Sequence, residues 1–151
     1  MSRAPAALGL LVAAACGPQT LGDLPRPALV VTVTEPGGFC SATYAVDADD
    51  RVWLESGCAS SSGLRLQQRT VSEDERAELD ALMDRVLALP DDPSCTVPSP
   101  SARRYRFVRT TPGGDDWPEK RVCEPGVDPD ASALAERMRE LAVGPADAGR
   151  G

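Results

Sequence analysis

The sequence contains no histidine, the side chain that most often serves as a general base near neutral pH and most often binds metal ions. A Ser-His nucleophile pair is therefore impossible. The serine motifs G-x-S-x-G and S-x-x-K are also absent from the sequence. We expect no catalytic residues and a protein that is not an enzyme.

Aromatic residues and lysine are also scarce. The chain has two Trp, two Tyr and two Phe, and Lys120 is its only lysine. Six aromatic rings are too few for a platform on which nucleobases stack. The formal net charge of −7 would repel a nucleic-acid backbone. The composition therefore predicts no nucleic-acid partner.

The sequence lacks an apolar run of the roughly 20 residues that span a bilayer. Its longest apolar stretch, Ala4 to Ala15, is much shorter; Arg3 precedes it and Cys16 follows it. A positive residue, a short apolar core and small residues before a cleavage site are typical of a secretory signal peptide. We predict that residues 1–15 are this signal and that cleavage leaves Cys16 as the new amino terminus.

The residues Ala13-Ala14-Ala15-Cys16 resemble the lipobox of bacterial lipoprotein precursors. The resemblance implies a diacylglycerol on Cys16 and anchoring to a membrane through that lipid. Gly17 stands where an aspartate often signals inner-membrane retention, which favours an outer-membrane lipoprotein facing the periplasm or the cell surface. Ala13 and Ala15 also form an A-x-A pattern that an ordinary signal peptidase could cut, so a soluble secreted protein is the alternative.

Five cysteines are present, and lipidation of one would leave an even number. Thiols of an exported protein are normally oxidised to disulfides. The chain contains no C-x-x-C motif, and without histidine a zinc site would require all four remaining cysteines. We therefore expect two disulfides, no metal site and no cofactor.

The segment around Asp49 predicts both a hairpin and one disulfide. If two antiparallel strands pair about this residue, Val46 faces Val52, Tyr44 faces Leu54, and Cys40 faces Cys58. One register thus aligns the apolar residues and brings two sulfur atoms into bonding range. We predict Cys40–Cys58 and, by elimination, Cys95–Cys123, although three pairings of four cysteines are possible in principle.

Other segments complete an α+β fold. Leu29 to Thr34 is rich in β-branched residues and predicts a strand, and alternation from Leu64 to Arg69 predicts an extra one. A second hairpin is predicted from Arg103–Arg109 and Trp117–Cys123. The expected architecture is a small antiparallel β-sheet of two hairpins plus an extra strand, with two amphipathic helices and two disulfides.

Both helix starts carry capping signals. Ser72 and Glu75 have the spacing of a capping box, and Pro90 ends the apolar pattern that follows. Asp128 precedes Pro129 at the start of the second helix. The predicted organisation is a signal at 1–15, a lipidated cysteine and flexible tether at 16–27, one domain at 28–142, and a disordered tail at 143–151.

The acidic turn Asp47–Asp50 has oxygen ligands of the kind that calcium prefers. Compared with an EF-hand loop, however, Arg51 stands where the third ligand belongs and Val52 stands where glycine is required. Short aspartate side chains are common in turns. We therefore predict a solvated hairpin turn here.

A basic cluster on the second hairpin is the main candidate binding site in this acidic protein. It comprises Arg103, Arg104, Arg106, Arg109, Lys120 and Arg121. Arginine forms paired hydrogen bonds with phosphate and carboxylate groups, so the cluster could bind a phosphate-bearing glycolipid or an acidic envelope protein. The alternative is a solvated sheet face with cross-strand pairs to carboxylates such as Glu119.

The later half of the chain is similar in outline to subtilisin-inhibitor-like proteins, in which cystines flank a helix and the second closes on a terminal hairpin. The resemblance implies a protease-binding stretch Cys95-Thr96-Val97 with Val97 in the protease pocket, although Pro98 departs from that pattern. The layout also resembles small β-rich lipoprotein domains of Gram-negative bacteria. We expect a lipid-anchored, non-enzymatic binding or scaffolding domain; a protease inhibitor is the alternative.

Overall fold

The structure is a computed structural model that describes residues 17–58, 62–97 and 99–144. The predicted signal peptide, Cys16 and the end of the chain from residue 145 lie outside these residues. The described chain folds as a six-stranded antiparallel sheet with two helices, which confirms the α+β class. In chain order the elements are β1 (Leu29–Thr34), β2 (Cys40–Val46), β3 (Arg51–Cys58), β4 (Arg65–Thr70), α1 (Glu73–Leu87), β5 (Arg104–Arg109), β6 (Glu119–Cys123) and α2 (Pro129–Val143).

The strand order is β4-β3-β2-β1-β5-β6, so β1 lies inside the sheet and joins the two predicted hairpins. Residues 35–39 connect β1 to β2 at one end, which we call the cystine end because both disulfides lie there. The opposite end carries the β2–β3 turn at Asp47–Asp50 and the β5–β6 connection at residues 110–118. We call it the acidic end.

The predicted register of β2 and β3 is confirmed. Cys40 pairs with Cys58, Tyr44 with Leu54, and Val46 with Val52. The Cα atoms of Cys40 and Cys58 are 4.0 Å apart, and the two residues form a disulfide. The second predicted disulfide, Cys95–Cys123, is also present and fastens the loop after α1 to β6.

Both helices begin where their capping residues predicted. The Ser72 hydroxyl accepts a hydrogen bond from the Glu75 backbone N–H at 3.2 Å, and the Glu75 carboxylate accepts one from the Ser72 N–H at 3.0 Å. That second bond is the main cause that holds the pKa of Glu75 below its usual value. At α2, the carboxylate of Asp128 accepts from the N–H of Asp130 at 2.8 Å. α2 ends at Val143, and Gly144 follows with a φ of 83°.

Both helices pack on one face of the sheet and form the main core. Alternate residues of the strands point to this face, as the pleat of a β-strand requires. The largest fully buried side chains of this core are Leu29, Val31, Val46, Val52, Leu79, Met83, Val86, Phe107, Leu134 and Met138. This face of the sheet is therefore occupied by the helices.

The other face carries a second, smaller core near the acidic end. Val30, Ala45, Trp53 and Val108 come from the strands, and Leu24, Ala28 and Leu64 cover them. Neither α1 nor α2 covers the polar side chains further along the same face, toward the cystine end.

The segment before β1 corrects the prediction of a flexible tether up to residue 27. Gln19 and Leu64 exchange two backbone hydrogen bonds of 2.8 Å, and Leu24 is only 2% exposed. A short 3₁₀ turn, Leu21–Asp23, joins these two contacts. Leu24 and the half-buried Leu21 anchor the segment on the small core, although two leucines are too few to produce a periodic pattern. Contacts with the folded domain therefore begin by Gln19 rather than at residue 28.

Candidate functional site

The pleat of the sheet divides the predicted basic cluster between two faces. Arg104 and Arg106 alternate with Phe107, which points to the helices, so these arginines lie on the opposite face. Arg121 is the direct neighbour of Arg106 on β6 and shares that face. The remaining members are Arg103, Arg109 and Lys120, and they lie on the helix side. The six residues therefore do not form one site.

The three cations on the helix side are neutralised by carboxylates. Arg103 contacts Glu35 at 3.0 Å and Glu124 at 3.6 Å, and its hydrogen bonds to Glu35 raise the pKa of its guanidinium. Arg109 contacts Asp84 and Asp80 of α1. Lys120 contacts Asp91 at 3.2 Å. These ion pairs connect β5 and β6 to α1 and to the neighbouring loops. They leave little positive charge on the helix side to attract a ligand.

Two of the three arginines on the other face share one carboxylate. Arg106 contacts Glu119 Oε2 at 2.7 Å, and Arg121 contacts Glu119 Oε1 at 3.3 Å. The hydrogen bond from Arg106 is the main cause that lowers the pKa of Glu119. Arg104 is exposed and forms no ion pair within the described residues. Glu55, the neighbour of Thr43 on β3, also lies on this face. Three guanidinium groups against two carboxylates leave the face locally positive.

These arginines surround a shallow cavity of about 330 Å³ that also contacts Thr34 and the Cys95–Cys123 disulfide. A second depression of about 280 Å³ adjoins it at Arg106 and includes Thr32 and Thr43, whose hydroxyl oxygens are 3.0 Å apart. Glu55 borders this depression on the side away from the arginines. We call the combined surface the open face; its residues are Thr32, Thr34, Thr43, Arg104, Arg106 and Arg121. Hydroxyl and guanidinium donors in this arrangement suit a phosphate or carboxylate group.

A larger cavity of about 460 Å³ lies between the sheet and α2, beside Tyr44 and Tyr105. Its charged residues are already paired, since Arg103 binds Glu35 and Arg139 binds Glu136. Burial of Tyr44 raises the pKa of its phenol. With its charges balanced internally, this cavity offers a ligand no net electrostatic attraction.

The acidic turn is not the solvated turn that the sequence predicted, because Asp47 is fully buried. One carboxylate oxygen accepts hydrogen bonds from the backbone N–H groups of Asp49 and Arg51, at 2.9 and 3.1 Å. The other accepts from Arg51 Nε and Trp53 Nε1, both at 2.9 Å. Four donors compensate the burial of the charge. It was not recognised from the sequence that the indole N–H of Trp53, six residues after Asp47, could donate to a buried Asp47 carboxylate.

The loop after Cys95 was the candidate protease-binding stretch. Residues Pro93–Cys95 form a 3₁₀ turn, and Thr96 continues it with helical backbone angles, φ −66° and ψ −44°. Asp92 fastens this turn by accepting hydrogen bonds from the N–H groups of Ser94 and Cys123, each at 2.9 Å. Val97 is 86% exposed, and Pro98 lies outside the described residues. The backbone that precedes Val97 is therefore helical rather than extended.

The described parts of the chain, 17–58, 62–97 and 99–144, contain no group of three metal-ligating side chains placed to hold an ion. Within the same ranges, neither helix has the length and apolar character needed to cross a bilayer. In comparison with known proteins, no protein-family model matches this chain, and no curated protein is significantly similar to it.

Proposed function

We propose that this protein is a lipid-anchored protein of the bacterial cell envelope, and that its domain is a non-enzymatic binding module. Its open face binds a negatively charged group of an envelope partner, either a phosphate-bearing glycolipid or an acidic protein. The observation that supports this proposal is the placement of Arg104, Arg106 and Arg121 around one cavity whose lining includes no carboxylate of the described residues.

The cysteines support the proposed location. Two disulfides are typical of proteins that fold outside the reducing cytosol. They account for four of the five cysteines and leave Cys16 as the one cysteine outside them. A cysteine at the end of a signal-like sequence is the residue that a lipoprotein precursor would acylate.

Electrostatics supports the choice of partner. The chain carries a formal charge of −7, so most of its surface repels anions. The open face is the exception because its guanidinium groups outnumber its carboxylates. A locally positive surface on an acidic protein orients an anionic partner toward that surface.

The open face is also rigid, which favours binding. Its residues lie on the neighbouring strands β2, β1, β5 and β6, and the Cys95–Cys123 disulfide borders the cavity. Side chains on paired strands lose less freedom on binding than side chains on a loop. A partner would therefore meet donors that are already in place.

Metabolic labelling with an alkyne-tagged fatty acid tests the anchor. The full chain is expected to incorporate the label and fractionate with membranes, whereas Cys16→Ser is expected to lose both properties. A full-length product that carries no label, or a processed product with a free thiol at Cys16, would refute the anchor. Either result leaves the proposed binding surface to be tested separately.

Site-specific photo-crosslinking from position 34 tests the binding surface in cells. Thr34 borders the cavity beside Arg104, so a crosslinker there is expected to capture the anionic partner. Arg104→Glu combined with Arg106→Glu is expected to abolish the product. Arg65→Glu is the matched control, because Arg65 is exposed on β4 and forms no ion pair within the described residues. Unchanged crosslinking in the double variant would exclude this binding surface.

A further inference from the structure

Two large apolar side chains are exposed at the cystine end. Phe39 is 78% exposed in the β1–β2 connection, and Val97 is 86% exposed in the loop after α1. The backbone N–H of Gly37 donates to the carbonyl of Pro100 at 2.8 Å and joins these two segments. Side chains of this size gain free energy when they leave water, so a pair of them at one tip indicates a contact surface.

Charge differs between the two ends of the domain. Arg104 lies at the cystine end, where its Nη2 is 3.1 Å from the position that a Cβ on Gly38 would occupy. The acidic end carries Asp49 and Asp115, whose side chains are 67% and 86% exposed and pair with Arg51 and Arg26. It also carries Asp116, which is exposed and forms no ion pair among the described residues. An anionic bilayer surface therefore attracts the cystine end and repels the acidic end.

The start of the described chain lies beside β3 and β4, between the two ends of the sheet, where Gln19 pairs with Leu64. Pro18 packs on Gly63, where a Cβ would lie 2.6 Å from the proline Cβ. Gly63 borders the same depression as Glu55 of β3, which is three residues before Cys58 of the cystine end. Cys16 is two residues before Pro18, so it can be only about 7 Å away along the chain. A lipid on Cys16 would thus hold the domain without a long spacer.

We propose that the cystine end lies against the bilayer, with Phe39 and Val97 in the headgroup region and Arg104 facing lipid phosphates. This orientation rests on the lipid anchor of the proposed function. Aromatic side chains and arginine are favoured at this depth of a membrane. The strands then stand upright on the bilayer, and Arg106 and Arg121 remain accessible from the side.

Chemical tethering tests the orientation independently of lipidation in cells. The chain from residue 16, which contains every described residue, has one thiol outside its disulfides and can be coupled through Cys16 to maleimide lipids. The vesicles contain phosphatidylethanolamine and phosphatidylglycerol with brominated acyl chains, which quench nearby tryptophan. Phe39→Trp places the probe at the cystine end. Gly113→Trp is the control in the β5–β6 connection, where a Cβ meets no atom within 4 Å.

The added tryptophan of Phe39→Trp is expected to lose at least half of its emission in these vesicles, after subtraction of the signal from Trp53 and Trp117. The tryptophan of Gly113→Trp is expected to keep its emission. Adding Arg104→Glu to Phe39→Trp should weaken quenching in anionic vesicles, whereas adding Arg65→Glu should not. Equal quenching at positions 39 and 113, or none at 39, would overturn the orientation. A failure of fatty-acid labelling in cells would instead refute the anchor.

Discussion

The indole N–H of Trp53 donates a hydrogen bond of 2.9 Å to the carboxylate of Asp47 in the interior of the protein. Trp53 belongs to the smaller core, and Asp47 begins the turn between β2 and β3. The same carboxylate also binds Arg51, and the carbonyl of Asp47 accepts a hydrogen bond from Arg76 of α1 at 2.7 Å. One residue therefore connects the turn, the small core and the first helix.

Asp47→Ala is expected to lower the free energy of unfolding by about 3 kcal/mol, because it leaves the buried indole N–H of Trp53 and the partly buried N–H groups of Arg51 without an acceptor. Urea denaturation followed by circular dichroism measures this change. Asp49→Ala is the control; its side chain is 67% exposed, so we expect a change below about 0.5 kcal/mol. Equal effects of the two substitutions would contradict the role assigned to Asp47.

Leu24→Ala tests whether the segment before β1 is part of the fold. Leu24 is 2% exposed, so its truncation is expected to cost about 3 kcal/mol of unfolding free energy. Leu66→Ala is a matched control on the same sheet face, where the side chain is 47% exposed and a loss below about 1 kcal/mol is expected. If Leu24→Ala proved neutral, the segment would be the flexible tether that the sequence predicted.

The disulfides are expected to contribute comparable stability. The Cys40–Cys58 and Cys95–Cys123 bridges span 18 and 28 residues, and closing loops of this length stabilises a fold by about 3 kcal/mol in a chain-entropy model. Replacing either pair by serines should lower the urea midpoint by similar amounts. Non-reducing peptide mapping checks the pairing first, and a Cys40–Cys95 or Cys40–Cys123 linkage would contradict the fold.

Stability is expected to fall in acid, in part through Asp92. The hydrogen bond from the Cys123 backbone N–H, opposed by desolvation, lowers the pKa of Asp92 below its ordinary value. A carboxyl group with a depressed folded-state pKa stabilises the protein above its unfolded pKa, near 4, and this contribution is lost as the pH falls through the folded value. Asp92→Asn should therefore flatten the dependence of unfolding free energy on pH below about 4.

Asp91→Asn is the control for this titration, because Asp91 is fully exposed and forms an ion pair with Lys120 rather than a hydrogen bond with a backbone N–H. It should leave the slope of the pH dependence in the acid range close to that of the unsubstituted chain. A slope that is unchanged in Asp92→Asn would show that the Cys123 N–H does not stabilise the charged carboxylate.

The sequence predicted local structure better than it predicted long-range assembly. The β2–β3 register followed from alternation about Asp49, and both helix starts followed from local caps at Ser72 and Asp128. The position of β1 between β2 and β5 was not predicted, because its pairing with β5 joins residues far apart in the chain. Its signal was present: Val30 and Val31 are both buried, as expected for a strand covered on both faces.

The candidate site was only partly predicted. Alternation along β5 could have separated Arg104 and Arg106 from Arg103 and Arg109 before the structure was known. The placement of Lys120 and Arg121 could not be derived in this way, because it depends on the register of β6, and the connection at residues 110–118 is too long to set a register by turn type. The burial of Asp47 was missed because its donors come from both the turn and the following strand.

The outer strands of the sheet bear on how neighbouring copies of the protein behave when they are crowded. At β6, the outward N–H of Cys123 is already bonded to Asp92. At β4, the sequence Arg65-Leu66-Gln67-Gln68-Arg69-Thr70 borders water with charged and amide side chains. Edges that are blocked or charged resist pairing with a second sheet. Molecules confined to a surface can therefore collide often without growing into a continuous β-structure.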